Sequence, residues 1–172
     1  GEYTLNLLTT RPVVTTPLSF ENIAPGNYEE VTIGSATFDG LTFTGTSATE
    51  FQDPDDNSDT INPSGNGFGI ASNLVNEGEG FLFHHENSSS LDFNINFQPN
   101  TDEVTVTYAT YSGDPRTGGA LVETGTFQVT SDADDLVPVT IDPAQNFDYV
   151  VVRFDYDQTN GQPQVRVQDF AV

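Results

Sequence analysis

Apolar and polar residues alternate without interruption along one stretch near the middle of the sequence. This stretch, Leu91–Phe97, reads Leu-Asp-Phe-Asn-Ile-Asn-Phe. Successive side chains of a β-strand point to opposite faces of its sheet, so a period of two places the apolar residues on one face and the polar residues on the other. The pattern therefore predicts a β-strand with a buried face and a solvated face.

The same alternation recurs along the chain, in short segments bounded by Gly, Pro, Asn or Asp. No segment has a sustained apolar period of 3.6 residues, so the sequence predicts an all-β fold, a two-sheet antiparallel β-sandwich of the jelly-roll type. A chain of 172 residues fits one such domain, residues 1–172. The clearest further strands are Val104–Tyr108, Val137–Ile141, Tyr149–Phe154 and Val165–Val167; weaker candidates are Thr4–Leu8, Ser19–Ile23, Val31–Phe38, Leu41–Thr44, Gly67–Ile70, Gly80–Phe83 and Gly125–Val129.

The net charge is strongly negative. Twenty-six acidic residues stand against four arginines and no lysine, which gives a formal charge of −22. Such a chain repels nucleic acid and anionic membranes at long range, so neither is expected as a partner. Self-repulsion of this size also calls for compensation, either by bound divalent cations or by a salt-rich medium.

The composition favours an extracellular protein of bacterial character. Cysteine and methionine are both absent, so thiol chemistry and a disulfide framework are excluded. No apolar run reaches the length of a membrane span. Because the chain begins at Gly1 and holds no methionine, we expect either a processed protein or, as the favoured reading, a piece cut from a larger secreted protein with neighbouring domains.

One acidic run has the spacing of a calcium loop. Asp53, Asp55, Asn57 and Asp59 place oxygen-bearing side chains at alternate positions, so a turning loop can direct all four at one hard cation. The run departs from the EF-hand pattern, because Ser58 stands where the turn glycine belongs and no helical pattern flanks it. It predicts a calcium loop in a β-protein, against the alternative of a solvated acidic loop.

Two further carboxylates lie at opposite ends of the sequence, Glu21 near the start and Asp169 near the end. First and last strands of antiparallel sandwiches commonly lie side by side. Two carboxylates that meet there need a cation or a proton to coexist, which predicts a structural calcium ion. A third acidic segment, Asn76–Gly80, precedes a predicted strand and is read equally well as a cation loop or as a tight turn.

The segment from Tyr108 to Arg116 is the candidate ligand-binding surface. Tyr108 and Tyr111 offer flat rings with hydroxyl groups, which suit a sugar or a peptide. Arg116, one of four cations, suits a carboxylate or an acidic saccharide, with Asp114 beside it. The alternative is an ordinary junction between strand and loop in which Arg116 pairs with Asp114.

Several short motifs together resemble a known family. They are the opening Ser19–Asn22, the middle segments Gly67–Ile70 and Glu77–Phe83, and the closing Val165–Val172. They resemble the jelly-roll ligand-binding modules of large calcium-dependent bacterial adhesins of the repeats-in-toxin type. They are also similar to carbohydrate-binding modules of secreted polysaccharide-degrading enzymes.

This resemblance implies a calcium-stabilised sandwich that binds a sugar or a peptide for attachment. It also implies that Glu21, Glu79 and Asp169 are structural calcium ligands and that the run from Asp53 to Asp59 is a second or ligand-proximal calcium site.

Enzymatic activity is not expected. There is no cysteine, no Gly-x-Ser-x-Gly elbow and no glycine-rich phosphate loop. His84 and His85 are adjacent in a predicted strand, so their side chains point to opposite faces and do not converge on one metal. The readings left open are an adhesin module, a carbohydrate-binding module and an all-β hydrolase of a halophile, whose acidity would be an adaptation to salt.

Overall fold

The computed structural model describes residues 15–45, 47–51, 60–132, 134–156 and 163–172. Within these ranges the chain forms twelve β-strands and one 3-10 turn, Pro115–Thr117, and no α-helix. No helix of the described residues is long and apolar enough to cross a membrane. The strands are β1 Pro17–Leu18, β2 Glu30–Ile33, β3 Ala36–Thr42, β4 Ile61–Ser64, β5 Gly67–Ile70, β6 Glu79–Ser88, β7 Leu91–Phe97, β8 Glu103–Ser112, β9 Ala120–Thr130, β10 Leu136–Ile141, β11 Phe147–Asp155 and β12 Val165–Ala171.

The strands form two antiparallel sheets of six strands each. Sheet A has the order β10-β7-β12-β5-β4, with β1 also paired to β12, and sheet B has the order β2-β3-β6-β11-β8-β9. Four nested pairs, β8 with β9, β7 with β10, β6 with β11 and β5 with β12, fall alternately in sheet B and sheet A. This is the pairing of one long hairpin wrapped around a core, so the predicted two-sheet jelly roll is confirmed.

The clearest alternating segments are strands in the structure, whereas the weaker candidate Thr4–Leu8 lies outside the described residues. Strand β7 covers Leu91–Phe97, as predicted, and its four apolar residues are buried while the residues between them are partly exposed. The candidate Val31–Phe38 is wrong as one strand, because a tight turn with Gly34 at φ 63° divides it into β2 and β3. The candidate Ser19–Ile23 is a turn rather than a strand.

Strand β4 was missed because it contains Pro63, which lowers the β-propensity of a short segment. It lies at the edge of sheet A, where a proline can be accommodated without removing a hydrogen bond from the interior of the sheet.

Phenylalanine rings fill the space between the sheets. Phe68 and Phe170 stack in parallel with ring centroids 5.3 Å apart, and Phe38 meets the ring of Phe170 edge-on at 4.9 Å. Burial of each such side chain stabilises the fold by roughly 1.5–3 kcal/mol before entropy is counted. The fully buried rings are Phe20, Phe38, Phe68, Phe81, Phe83, Phe93, Phe147, Phe154 and Phe170.

A second apolar cluster, called the outer cluster here, lies on the face of sheet B that points away from the core between the sheets. Core residues of the central strands, such as Phe81, Phe83 and Val152, alternate with residues that point away from the core. The segment 43–51 follows β3, and its described residues, 43–45 and 47–51, pack over these outward residues. The outer cluster consists of Leu41, Ala48, Leu82, Ala109, Tyr111 and Val151, with Phe43, Phe51 and Tyr149 packed against it.

Candidate functional site

The outer face of sheet B carries a row of aromatic side chains at one end of its strands. His84 of β6, Tyr149 of β11 and Tyr111 of β8 are successive cross-strand partners. The rings of His84 and Tyr149 stack with centroids 4.3 Å apart and an interplanar angle of 20°. His85 points elsewhere, with its Nδ1 2.8 Å from Ser88 Oγ, so the two histidines do not converge.

A 3-10 turn directs Arg116 back over this row. Asp114 caps the turn, since its Oδ1 accepts a hydrogen bond from the Arg116 backbone N–H at 2.9 Å. Gly113 and Gly118 have φ of 89° and 95°, left-handed values that suit glycine and reverse the chain on both sides. The turn is therefore encoded locally by the segment Gly113–Gly118.

The Arg116 guanidinium is held by two carboxylates. Its Nε and Nη2 donate to Asp114 at 3.0 and 2.8 Å, and its Nη1 donates to Asp39 Oδ2 at 3.0 Å. The bidentate contact with Asp114 fixes the plane of the guanidinium, and the contact with Asp39 fixes its direction. Arg116 is thus oriented before any ligand arrives.

Burial and neighbouring charges shift the pKa values of these groups in opposite directions. Asp39 is only 6% exposed. Burial raises the pKa of its carboxyl to about 6, although Arg116 acts to lower it. At Asp114 burial acts to raise the pKa, but the hydrogen bonds from Arg116 outweigh it and the pKa is lowered. The hydrogen bond to Asp114 raises the pKa of Arg116, which stays charged.

A cleft of about 420 Å³ opens beside this arginine. Its walls combine two rings, a proline and a cation, a mixture typical of sites that bind small polar ligands. The lining residues are Thr49, Phe51, Tyr111, Pro115 and Arg116.

Another arginine, Arg153, is buried and fixes the segment that forms one wall of the cleft. Arg153 of β11 is 5% exposed, and its Nε donates to Asp155 Oδ2 at 2.7 Å. Its Nη1 donates to the backbone carbonyl of Gly45, and its guanidinium lies 5.3 Å from the ring centroid of Phe43. Arg153 therefore holds the start of the segment 43–51 against sheet B.

A larger cleft of about 610 Å³ lies on the same face, next to the first. Its lining is rich in hydroxyl groups from strands β8 and β9. Thr107 and Thr126 are cross-strand partners, and Thr126 Oγ1 donates to Thr107 Oγ1 at 3.3 Å. The lining residues are Ser47, Ala48, Thr105, Thr107, Tyr108, Thr124, Gly125, Thr126 and Asp155.

Of the four predicted ligand-binding residues, the structure brings three together and places the fourth apart. Tyr111, Asp114 and Arg116 lie around the smaller cleft. Tyr108 borders the larger one, but its side chain leaves the core-facing side of sheet B, where its ring contacts Phe127 and its hydroxyl donates to Glu123 at 2.9 Å. Tyr108 and Tyr111 are three residues apart in one strand, so their side chains leave opposite faces of the sheet.

Sequence reasoning missed Asp39 and Phe51 at this site. Asp39 lies in an apolar strand, Ala-Thr-Phe-Asp-Gly-Leu-Thr, where a buried aspartate is a recognisable irregularity. Its partner Arg116 lies 77 residues further along the chain, and the sequence carried no signal for that contact.

The predicted carboxylates Glu21, Glu79 and Asp169 lie in different surroundings. Glu79 begins β6 of sheet B, and its Oε2 accepts from the backbone N–H of Asn76 at 2.7 Å and from Asn76 Nδ2 at 3.0 Å. Asp169 lies in β12 of sheet A. Glu21 is exposed in a turn, and its backbone N–H donates to Ser19 Oγ at 3.3 Å.

The closing strand pairs with the segment just before the predicted opening strand, since Leu18 of β1 lies opposite Phe170 of β12, whereas Glu21 itself lies in the turn that follows β1. Asn66 bridges these segments. Its Oδ1 accepts from Ser19 Oγ at 3.0 Å, and its Nδ2 donates to Asp169 Oδ1 at 2.5 Å.

Amide groups surround the Asp169 carboxylate. Asn94 Nδ2 and Gln168 Nε2 donate to its Oδ2 at 2.9 and 3.0 Å, in addition to the bond from Asn66. Burial acts to raise the pKa of Asp169, but these hydrogen bonds outweigh it and the pKa is lowered. The carboxylate is stabilised here by three amide donors.

The predicted calcium loop, with Asp53, Asp55, Asn57 and Asp59, lies outside the described residues. Among the residues that are described, no group of three or more His, Asp or Glu side chains is arranged to hold a metal ion. Calcium binding by this chain stays a prediction.

Comparisons with known proteins identify no family for this chain. No family model matches the chain, and no curated protein matches its sequence. Among solved structures it is similar to the K1 cleaved adhesin domain of Lys-gingipain from Porphyromonas gingivalis W83, with 13% sequence identity and a TM-score of 0.39 over 91% of this chain and 96% of that one. A likeness at this level supports no inference about fold or function.

Proposed function

We propose that this chain is a non-enzymatic, calcium-dependent binding module of an extracellular bacterial adhesin, and that it attaches through a glycan or peptide held on the outer face of sheet B. The observation that carries the proposal is the smaller cleft. There Arg116 is fixed by Asp39 and Asp114 beside the rings of Tyr111 and Phe51.

A fixed donor beside flat rings suits a polar ligand that has both apolar and hydrogen-bonding faces. Arg116 uses one N–H on each of Nε, Nη1 and Nη2 for the two carboxylates, and a guanidinium has five N–H donors. A further hydrogen bond joins Arg116 to the side chain of Tyr149, so one N–H group remains to meet a ligand. Because the side chain is already ordered, binding costs less conformational entropy than it would with a free arginine.

Calcium enters the proposal through the acidic run that follows this cleft. Phe51 lines the cleft, and Asp53 comes two residues later in the sequence. A cation bound by Asp53, Asp55, Asn57 and Asp59 would offset part of the charge of −22 close to the ligand. Glu21, Glu79 and Asp169 are weaker candidates, because amide donors already stabilise Asp169.

A carbohydrate-binding module of a secreted polysaccharide-degrading enzyme is the second candidate. The larger cleft favours it, because Ser and Thr hydroxyls of the kind that line that cleft both donate and accept hydrogen bonds, as sugar hydroxyls do. The same face would bind the ligand in either case, and the difference lies in the neighbouring domains.

The test is binding by the whole chain to a glycan array and to a peptide library, with and without millimolar calcium. We expect Arg116→Ala and Phe51→Ala to weaken binding at least roughly tenfold, since each removes a fixed contact. Arg166→Ala is the matched control, because Arg166 lies in β12 of the other sheet. Circular dichroism checks that each variant is folded.

Two outcomes would contradict the proposal. Equal binding by wild type, Arg116→Ala and Phe51→Ala would remove the cleft from the ligand site. Equal binding and an equal melting temperature with chelator and with calcium would remove the cation.

A further inference from the structure

From the two clefts taken together, we infer that the outer face of sheet B binds an extended, uncharged glycan chain that runs along β8 from one cleft to the other. This inference rests on the proposed function and narrows its ligand. Three observations support it: the wall that the two clefts share, the hydroxyl groups that line the larger cleft, and the pairing of the two arginines on this face with carboxylates.

The two clefts share one wall and one strand. In the segment 47–51, Ser47 and Ala48 line the larger cleft, whereas Thr49 and Phe51 line the smaller one. Strand β8 carries Thr105 at one end of this surface and Tyr111 at the other. Six residues of a strand span about 20 Å, which is longer than a single sugar ring and suits a chain of several units.

The larger cleft offers hydroxyl groups in place of charges. Five of its lining side chains are Ser or Thr, on the outward side of β8 and β9 and on the facing segment. Its one charged lining residue, Asp155, already accepts hydrogen bonds from Arg153 at 2.7 and 2.5 Å. A hydroxyl group both donates and accepts, so this surface complements the hydroxyls of a neutral sugar.

The charges of this face are already paired. Arg116 stands between Asp39 and Asp114, and Arg153 is paired with Asp155. The first group carries a net negative charge when both carboxyls are ionised, and the second is neutral. With −22 on the whole chain, an acidic saccharide would be repelled at long range and would meet no uncompensated cation on these strands.

An extended peptide is a poorer fit to this surface. Peptides often bind a sheet by adding a strand to a free edge, where their backbone groups pair. Strand β8 lies between β11 and β9, so its backbone is paired on both sides. The floor of the clefts therefore recognises a ligand through side chains alone.

Affinity electrophoresis of the whole chain is the first arm of the test. The probes are neutral polysaccharides (dextran, mannan and xyloglucan) and acidic ones (alginate and polygalacturonate), in buffer with millimolar calcium. We expect at least one neutral polymer to retard the chain and the acidic polymers to leave it unretarded. Oligosaccharides of the neutral polymer that binds most tightly should then show affinity that rises from two to six sugar units.

The second arm uses variants that remove one hydroxyl and keep the side-chain shape. Thr107→Val and Thr126→Val should each weaken binding of the six-unit oligosaccharide about fivefold, the value of one hydrogen bond. Thr140→Val is the control, because Thr140 lies in β10 of sheet A, where its Oγ1 donates to Asp92. Binding of a two-unit oligosaccharide, which fits in the smaller cleft, should change little.

The outcomes separate this inference from the proposed function. Binding that depends on Arg116 but is unaffected by Thr107→Val and Thr126→Val, or that does not grow with chain length, would overturn the extended site and leave the module intact. Stronger binding of alginate or polygalacturonate would overturn the uncharged ligand. If the chain binds peptides but none of the saccharides, the inference is overturned. If it binds neither peptides nor saccharides, the proposed function is overturned as well.

Discussion

The outer faces of the two sheets follow the same alternating pattern but carry different kinds of side chain. On sheet A the outward side chains are amides that bond to one another. Gln98 donates to Asn96, Asn96 donates to Gln168, and Gln168 donates to Asp169. On sheet B the outward residues are small, apolar or hydroxylated, and the segment 43–51 packs over part of them.

The outer face of sheet A is thus a surface whose side chains hydrogen-bond to one another, whereas the outer face of sheet B has room for a ligand. Side chains of sheet A use their hydrogen-bonding groups on each other, which leaves fewer for a partner. Sheet B has a second apolar cluster, two clefts and an arginine with one unused donor. Alternation therefore sets which residues face outward, whereas the chemistry of those residues decides whether the face can bind.

The largest expected effect comes from the outer cluster. Leu82 is 2% exposed although it points away from the core between the sheets. We expect Leu82→Ala to lower the free energy of unfolding by about 3 kcal/mol, the usual cost of a cavity in a true core. Asn96→Ala on sheet A should cost less than about 1 kcal/mol. Urea unfolding followed by circular dichroism measures both, and equal small costs would show that the outer cluster is not a core.

Arg153 gives the next effect. Its removal leaves Asp155 without its partner and frees Gly45 and Phe43 of the covering segment. We expect Arg153→Ala to cost about 2 kcal/mol, below the 3–5 kcal/mol of a fully buried pair because the Asp155 side chain is 24% exposed. Ligand affinity should fall too, since Thr49 and Phe51 belong to the same segment.

Arg166→Ala on sheet A is the control for that change, and we expect it to alter stability by less than about 0.5 kcal/mol. Arg153→Lys keeps the charge without the planar fork, so it should restore only part of the loss. Full ligand affinity in Arg153→Ala would mean that the segment is held in place by other contacts.

The smallest effect is a pH dependence of stability that arises from Asp39. Its folded-state pKa of about 6 lies above the ordinary aspartate pKa of 3.8, with burial as the main cause and with Arg116, Glu30 and Asp114 as its charged neighbours. A raised carboxyl pKa contributes stability that is complete below pH 3.8 and is lost as pH rises through about 6. Between pH 5 and 7 we expect a loss of about 1 kcal/mol from this group.

The difference between wild type and Asp39→Asn isolates that contribution from the other acidic residues. Chemical unfolding at a series of pH values should give wild type the steeper decline between pH 5 and 7. Asp169 on sheet A has the opposite sign, because its pKa is lowered and its contribution is lost only as pH falls through the folded value, below 3.8. Parallel curves for wild type and Asp39→Asn would show that Asp39 does not titrate in this range.

Much of the fold could be predicted from the sequence, and much less of the site. The alternation of β7 and the apolar runs of β10 and β11 identify strands because burial of one face is a local property of the pattern. Strand β4 was missed because its proline disfavours a strand everywhere except at an edge. The site could be predicted only where it is local, as at Asp114 and Arg116, two residues apart in one turn.

An all-β chain with a phenylalanine core follows from the sequence, since side chains that alternate in polarity can bury only one face. Three features follow from the packing of the strands instead: which outward face is covered, that Tyr108 and Tyr111 border different clefts, and that Asp39 meets Arg116. The physical reason is that strand pairing joins residues far apart in the chain, and a period of two carries no information about which strands become neighbours.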